Sequence, residues 1–166
     1  MYNIGDYVVY KREVCEIVDI KEKYIKDKDY YRMRNIRDKS LVINIPIDSD
    51  LIRSVMSKGE ALDIIDKIVD IDIDVSNEQN IENIYKELMK TEKIEDLIKI
   101  IKISYKRCED RVKQGKKISE KDDNYFKKCE EIFYTEMSVA LNMSYDDTVN
   151  YIKTRIESYN WYLKKT

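Results

Sequence analysis

The chain of 166 residues contains no histidine. That absence excludes Ser-His-Asp and Cys-His nucleophile systems, imidazole acid–base chemistry and histidine metal ligation. Glycine is scarce: Gly5, Gly59 and Gly115 lie too far apart to build a phosphate-cradling loop. Pro46 is the single proline. Cys15, Cys108 and Cys129 have no metal-ligand spacing, and an odd, scattered set without a secretion signal points to a reducing compartment. No apolar run is long enough to span a bilayer, and the N-terminus has no signal-peptide core. The expectation is a cytoplasmic protein with no membrane contact, no cofactor and no metal. Asp70, Asp72 and Asp74 lack the glycine and the distal glutamate of an EF-hand loop, so they read as a solvated linker.

What is present suits a folded, soluble chain. Hydrophobic residues make up 43% and charged residues 39%, enough for a core and a well-solvated surface. The net charge of −2 does not by itself indicate nucleic acid, so the distribution of charge along the chain carries the question.

The first fifty residues read as antiparallel β structure. Ile4-Gly5-Asp6 is a tight-turn signal, and Tyr7 to Tyr10 is a β-branched and aromatic run. Candidate strands cover 6–10, 13–23, 29–37 and 40–46, with polar links at Lys26–Asp29 and Arg37–Ser40. Pro46 falls where the last strand should stop. A small domain of this kind curls into a half-open barrel.

Helices follow. Ser57 and Glu60 have capping-box spacing, and Ala61, Ile64, Ile65 and Ile68 keep a helical period. Residues 70–76 mark a domain boundary. Ser76 to Gln79 then starts a helix bearing Ile81, Ile84, Tyr85 and Leu88. Ile94, Leu97, Ile98, Ile101, Tyr105 and Cys108 form a third apolar stripe. Ser119 opens a fourth helix, with Tyr125, Cys129, Ile132, Phe133, Met137 and Leu141 at spacings of three and four. Ser144 opens a fifth, carrying Val149, Ile152, Ile156 and Tyr159. The fold class is therefore α+β with two domains: residues 1–72, an antiparallel β barrel with a short helical extension, and residues 73–166, an all-α bundle.

One charged feature stands apart. Lys99, Lys102, Lys106, Arg107, Arg111, Lys113, Lys116 and Lys117 cluster on the third helix and its end. Lys99, Lys102 and Lys106 recur at three and four and are expected on one face. Such a face is either an ordinary solvated surface or a phosphate-backbone contact.

The order and spacing of these segments resemble the CarD/CdnL family of bacterial RNA-polymerase-binding transcription regulators. Ile4-Gly5-Asp6 with Val8-Val9-Tyr10 is similar to its opening signature. Ile43 to Pro46 is similar to its valine-rich strand ending in proline, and Leu51 to Glu60 to its arginine-centred link into a Ser-capped helix. Met89 to Ile101 and Ile118 to Leu141 match its later helices, so the resemblance runs over residues 1–157.

The resemblance implies a Tudor-like domain that docks on the RNA polymerase β subunit, and a helical domain that reaches upstream promoter DNA. There a tryptophan wedges into the minor groove and basic residues hold phosphates, without sequence specificity. It assigns polymerase binding to Lys23, Ile25 and Asn44. Asn44 stands where some members have arginine, a bidentate carboxylate partner. The chain departs from the pattern on the DNA side: Asn77-Glu78 stands where the family has Asn-Trp, and Asp123 and Glu130 fall at positions that are often basic. Lys11 to Val14 replaces a Pro-x-His-Gly loop, and the only tryptophan, Trp161, lies beyond the matched region. DNA contact is expected to be weaker or rebuilt on Lys99, Lys102, Lys106, Arg107, Arg111 and Lys113. The expected function is non-enzymatic regulation of transcription initiation by a monomer. The alternative is a protein-interaction module that keeps the fold without promoter DNA binding.

Overall fold

The computed structural model describes residues 1–74 and 78–156, with only the backbone of Glu78. The readings placed on Ser76, Asn77, the Glu78 side chain, Tyr159 and Trp161 lie outside the described residues.

The described chain is α+β and divides into two compact units, Met1–Ser57 and Lys58–Thr166. The first is a five-stranded antiparallel sheet in the order β4-β3-β2-β1-β5. Its strands are β1 (Tyr7–Tyr10), β2 (Glu13–Ile25), β3 (Lys28–Asn35), β4 (Val42–Pro46) and β5 (Ile52–Ser54). The sheet is open rather than closed, with β4 and β5 as its two edges. β5 is too short to show as a periodic run in the sequence. It forms because it pairs with Val8–Tyr10 of β1.

The turns follow from local chemistry. Gly5 has φ +93, as the third residue of a turn closed by the Asp6 N–H donating to the Asn3 carbonyl at 3.0 Å. Lys11 and Arg12 (φ 47 and 67) join β1 to β2, and Lys26 and Asp27 (φ 52 and 60) join β2 to β3. Two positive φ values in a two-residue link match the twist of a β hairpin, although Asn-Gly would adopt them more readily. At the third link, Asn35 Oδ1 accepts from the Arg37 and Asp38 N–H groups at 2.8 and 3.0 Å.

One face of the sheet holds the core: Val8, Cys15, Ile17, Tyr31, Met33, Ile45 and Ile52. The buried Tyr31 hydroxyl accepts from the Tyr2 N–H at 2.8 Å, which draws the N-terminus over this face. Alternation then sends Tyr30, Arg32 and Arg34 of β3 to the opposite face.

The second unit contains α1 (Lys58–Lys67), α2 (Ile81–Lys90), α3 (Ile94–Lys113), α4 (Glu120–Leu141) and α5 (Tyr145–Arg155), with 3₁₀ turns at Ile68–Asp70 and Glu78–Asn80. Ser119 and Ser144 cap α4 and α5, accepting from the Asp122 and Asp147 N–H groups. α3 ends in a Schellman turn: the Lys116 N–H donates to the Arg111 carbonyl at 2.9 Å and the Gly115 N–H to the Val112 carbonyl at 3.0 Å. Gly115, at φ +69, supplies the left-handed residue this turn needs.

The boundary expected after residue 72 falls at Ser57 instead. α1 and its 3₁₀ turn belong to the helical unit because they are tied into it. The Lys102 ammonium holds the Ile68 carbonyl at 2.6 Å, and Arg155 grips Asp66 through Nε and Nη2 at 2.8 and 2.9 Å. No helix of the described residues is long and apolar enough to cross a membrane.

Candidate functional site

β4 sits at a sheet edge, and its hydrogen bonds to β3 alternate. The Asn35 N–H donates to the Leu41 carbonyl at 3.0 Å, and the Ile47 N–H to the Asp29 carbonyl at 3.1 Å. The register pairs Tyr31 with Ile45, Arg32 with Asn44 and Met33 with Ile43. In an antiparallel ladder, bonded and non-bonded pairs alternate. Ile43 and Ile45 therefore bond inward to β3, while Val42 and Asn44 turn their main-chain groups to the open edge. Pro46 ends that edge because it has no N–H.

Asn44, expected to face a protein partner, lies at the middle of this edge and is exposed. Its cross-strand neighbour is Arg32, and that of Val42 is Arg34. Val42 is 38% exposed, and Leu41 beside it 52%.

Lys23 and Ile25 occupy the far end of the β2–β3 hairpin. The register slips between Lys21 and Ile25, and Lys23 takes φ 47 within that irregularity. The Asp29 carboxylate accepts from the Lys23 N–H at 2.9 Å, so a side chain satisfies the amide that leaves the ladder. Ile25 pairs with Lys28 and is 46% exposed. Tyr24 is equally exposed, packs edge-on against Tyr30 at 5.7 Å, and carries the Lys21 ammonium over its ring at 4.7 Å. Asn44 pairs with Arg32, four residues along β3 from Lys28. At ~3.4 Å per residue this is about 14 Å, so the three expected residues share one hairpin and edge but not one cluster.

The basic series on α3 is dispersed. Lys102 is 2% exposed, and its ammonium donates to the carbonyls of Ile68, Val69 and Ile71 at 2.6, 3.4 and 2.8 Å. Arg107 Nε donates to both oxygens of the fully buried Asp122 at 3.1 Å. Asp122 also accepts from the Tyr85 hydroxyl at 2.8 Å. Burial, followed by this bond, raises the Tyr85 phenol well above its usual range. Lys102 and Arg107 thus tie elements of the helical unit together. The reason is that α3 is central: Leu97, Ile98, Ile100, Ile101 and Ile103 are all buried, so most of its circumference faces protein.

Lys99, Lys106 and Lys113 are only partly covered or exposed, and each is matched within about one turn. Lys99 pairs with Asp96 at 3.3 Å, Lys106 with Asp110 at 3.5 Å and Lys113 with Glu109 at 3.6 Å. A hydrogen bond from the Thr91 hydroxyl, ahead of Lys99, holds the Asp96 carboxyl below its usual range. Arg111 is exposed and donates to the Lys117 carbonyl at 2.7 Å, bracing the α3–α4 loop. Asp123 binds Lys127 at 2.7 Å. A shallow groove of about 300 Å³ is lined by Glu120, Lys121, Asn124 and Tyr125, with the Lys121 ammonium held by Glu82 at 2.7 Å.

Residues beside the edge were missed in the sequence. Arg32, Arg34 and Val42 carry the signal of period-two alternation, but the core-facing partner strand had to be known to see which set faces outward. No protein-family model matches the chain, and no curated protein matches it.

Proposed function

We propose that the chain is a binding protein whose sheet unit docks a protein partner along the open β4 edge. The partner suggested by the CarD/CdnL resemblance is the RNA polymerase β subunit, and the role is non-enzymatic tuning of transcription initiation. On this reading the sheet unit is a half-open Tudor-like domain. The observation that carries it is the outward set of main-chain groups at Val42 and Asn44 between the exposed Leu41 and Pro46. Strand addition draws affinity from main-chain bonds, so it tolerates asparagine in place of arginine at position 44. Exposed Lys23 and Ile25 then form a second contact at the hairpin tip.

The matched and buried cations of α3 favour an interaction module with reduced promoter contact over one that grips DNA along that helix. Binding of the full chain to a purified polymerase β lobe tests the reading. Asn44→Pro removes the outward N–H and leaves the bonds to β3 intact, so it should abolish binding in a folded protein. Lys23→Glu and Ile25→Glu should weaken it. No binding of the wild-type chain at high micromolar lobe would end the polymerase reading.

A further inference from the structure

We propose that Arg32 and Arg34 make the β4 edge selective for an extended acidic strand, one that sets carboxylates at alternate positions around an apolar residue. This inference rests on the edge-docking reading above and names the chemistry of the occupant.

Arg32 and Arg34 stand on the face opposite the core, one strand in from the edge, directly across from Asn44 and Val42. Arg34 is exposed and Arg32 half-buried. Neither guanidinium pairs with a carboxylate among the described residues, whereas Lys28 on the same strand pairs with Asp48 at 3.4 Å. The Arg32–Asn44 and Arg34–Val42 pairs are non-hydrogen-bonded, the kind in which side chains approach most closely. A short asparagine and a valine leave the space above them open to an incoming side chain.

A strand bonded to Val42 and Asn44 would set its residues opposite these two on the outer face, within reach of the two guanidinium groups. Its intervening residue would fall on the core face beside half-buried Ile43. The matching pattern is acid, apolar, acid. Guanidinium groups bind carboxylates as planar forks and are more weakly hydrated than ammonium groups, which suits half-buried Arg32 beside exposed Arg34.

A polynucleotide is the poorer fit. Glu16 and Asp19 lie on this same face across from Arg34 and Arg32 on β2, and would repel a phosphate chain laid over the sheet. The Asp19 carboxylate already accepts from the Ile20 N–H at 2.9 Å. A peptide strand on the β4 side keeps the arginines between its own acids and those of β2.

The test uses the full chain labelled with ¹⁵N, titrated with two capped peptides, one alternating Glu and Val and one alternating Lys and Val. The Glu–Val peptide should shift the Val42 and Asn44 amides and slow their exchange with solvent. Arg32→Gln combined with Arg34→Gln should weaken its binding at least about tenfold, while Lys28→Gln leaves it near wild type. Equal binding of the Lys–Val peptide would overturn the proposal, as would unchanged binding in the double variant or no binding of either peptide. So would an oligothymidylate bound through Arg32 and Arg34 in place of the peptide. Peptide binding without polymerase-lobe binding would sustain this inference and remove the polymerase reading. Lobe binding that the double variant leaves intact would do the reverse.

Discussion

The Lys102 ammonium lies 2.6 Å from the Ile68 carbonyl oxygen and 2.8 Å from that of Ile71. A lysine of the central helix thus closes the carbonyls that the end of α1 and its 3₁₀ turn leave open. Its four-carbon stem is buried along the way. Lys102→Met keeps the stem and removes the ammonium. It should lower the unfolding free energy by ~2–4 kcal/mol, because buried acceptors lose a charged donor. Urea denaturation of the two proteins measures this. A variant as stable as wild type would mean that water replaces the ammonium.

The buried Asp122 carboxylate serves both Arg107 and Tyr85. Asp122→Ala takes the carboxylate away from the Arg107 guanidinium and the Tyr85 hydroxyl and should cost about 3–5 kcal/mol. Tyr85→Phe removes one hydrogen bond and should cost ~1 kcal/mol. The ratio of the two losses, read from denaturant midpoints, checks that the carboxylate and not the phenol anchors the group.

Alkaline stability should fall early. Burial, with the Glu13 charge behind it, raises the Cys15 thiol from 9.0 to about 11. Above pH 9 the unfolded chain releases this proton and the folded chain keeps it. Stability from Cys15 is therefore full below pH 9 and lost as pH rises through about 11. Tyr85, also raised from 10.0, adds a loss that begins above pH 10. Thermal unfolding from pH 8 upward should show the decline, and Cys15→Ala should flatten its first part. A flat profile in wild type would contradict the assigned burial.

Two turn positions should respond in opposite directions. Gly115→Ala places a side chain at φ +69 with nothing within 4 Å of the new Cβ, so only backbone strain is felt. It should destabilise by about 1 kcal/mol. Asp27→Gly at φ 60 relieves strain at a hairpin turn and should stabilise by roughly 0.5–1 kcal/mol. Melting temperatures of the two variants settle both.

Duplex DNA affinity should depend only weakly on salt. Within the cluster from Lys99 to Lys117, Arg111, Lys116 and Lys117 are the exposed cations not matched to a carboxylate among the described residues. Three phosphate contacts give a slope of log K against log salt of about −3. Lys116→Gln with Lys117→Gln should reduce it by about two, and Lys106→Gln should leave it unchanged. A slope steeper than about −5 would show that the paired lysines leave their carboxylates for phosphate.

The sequence by itself determined the order of elements. Alternation of β-branched and aromatic residues marked β1 to β4, and spacings of three and four marked the five helices. These signals are local, since each strand or helix shows its period within its own residues. Ile4-Gly5-Asp6, Ser119 and Ser144 were legible for the same reason: turns and caps are made by neighbouring residues. Only the tertiary structure decided which side of each element counts. β5 exists through its pairing with β1, and Lys102 and Arg107 are drawn inward by the Ile68 and Ile71 carbonyls and by the Asp122 carboxylate. The open β4 edge, with Arg32 and Arg34 behind it, depends on strand order and register. Those are set by contacts between residues distant in the chain, which no window of sequence contains.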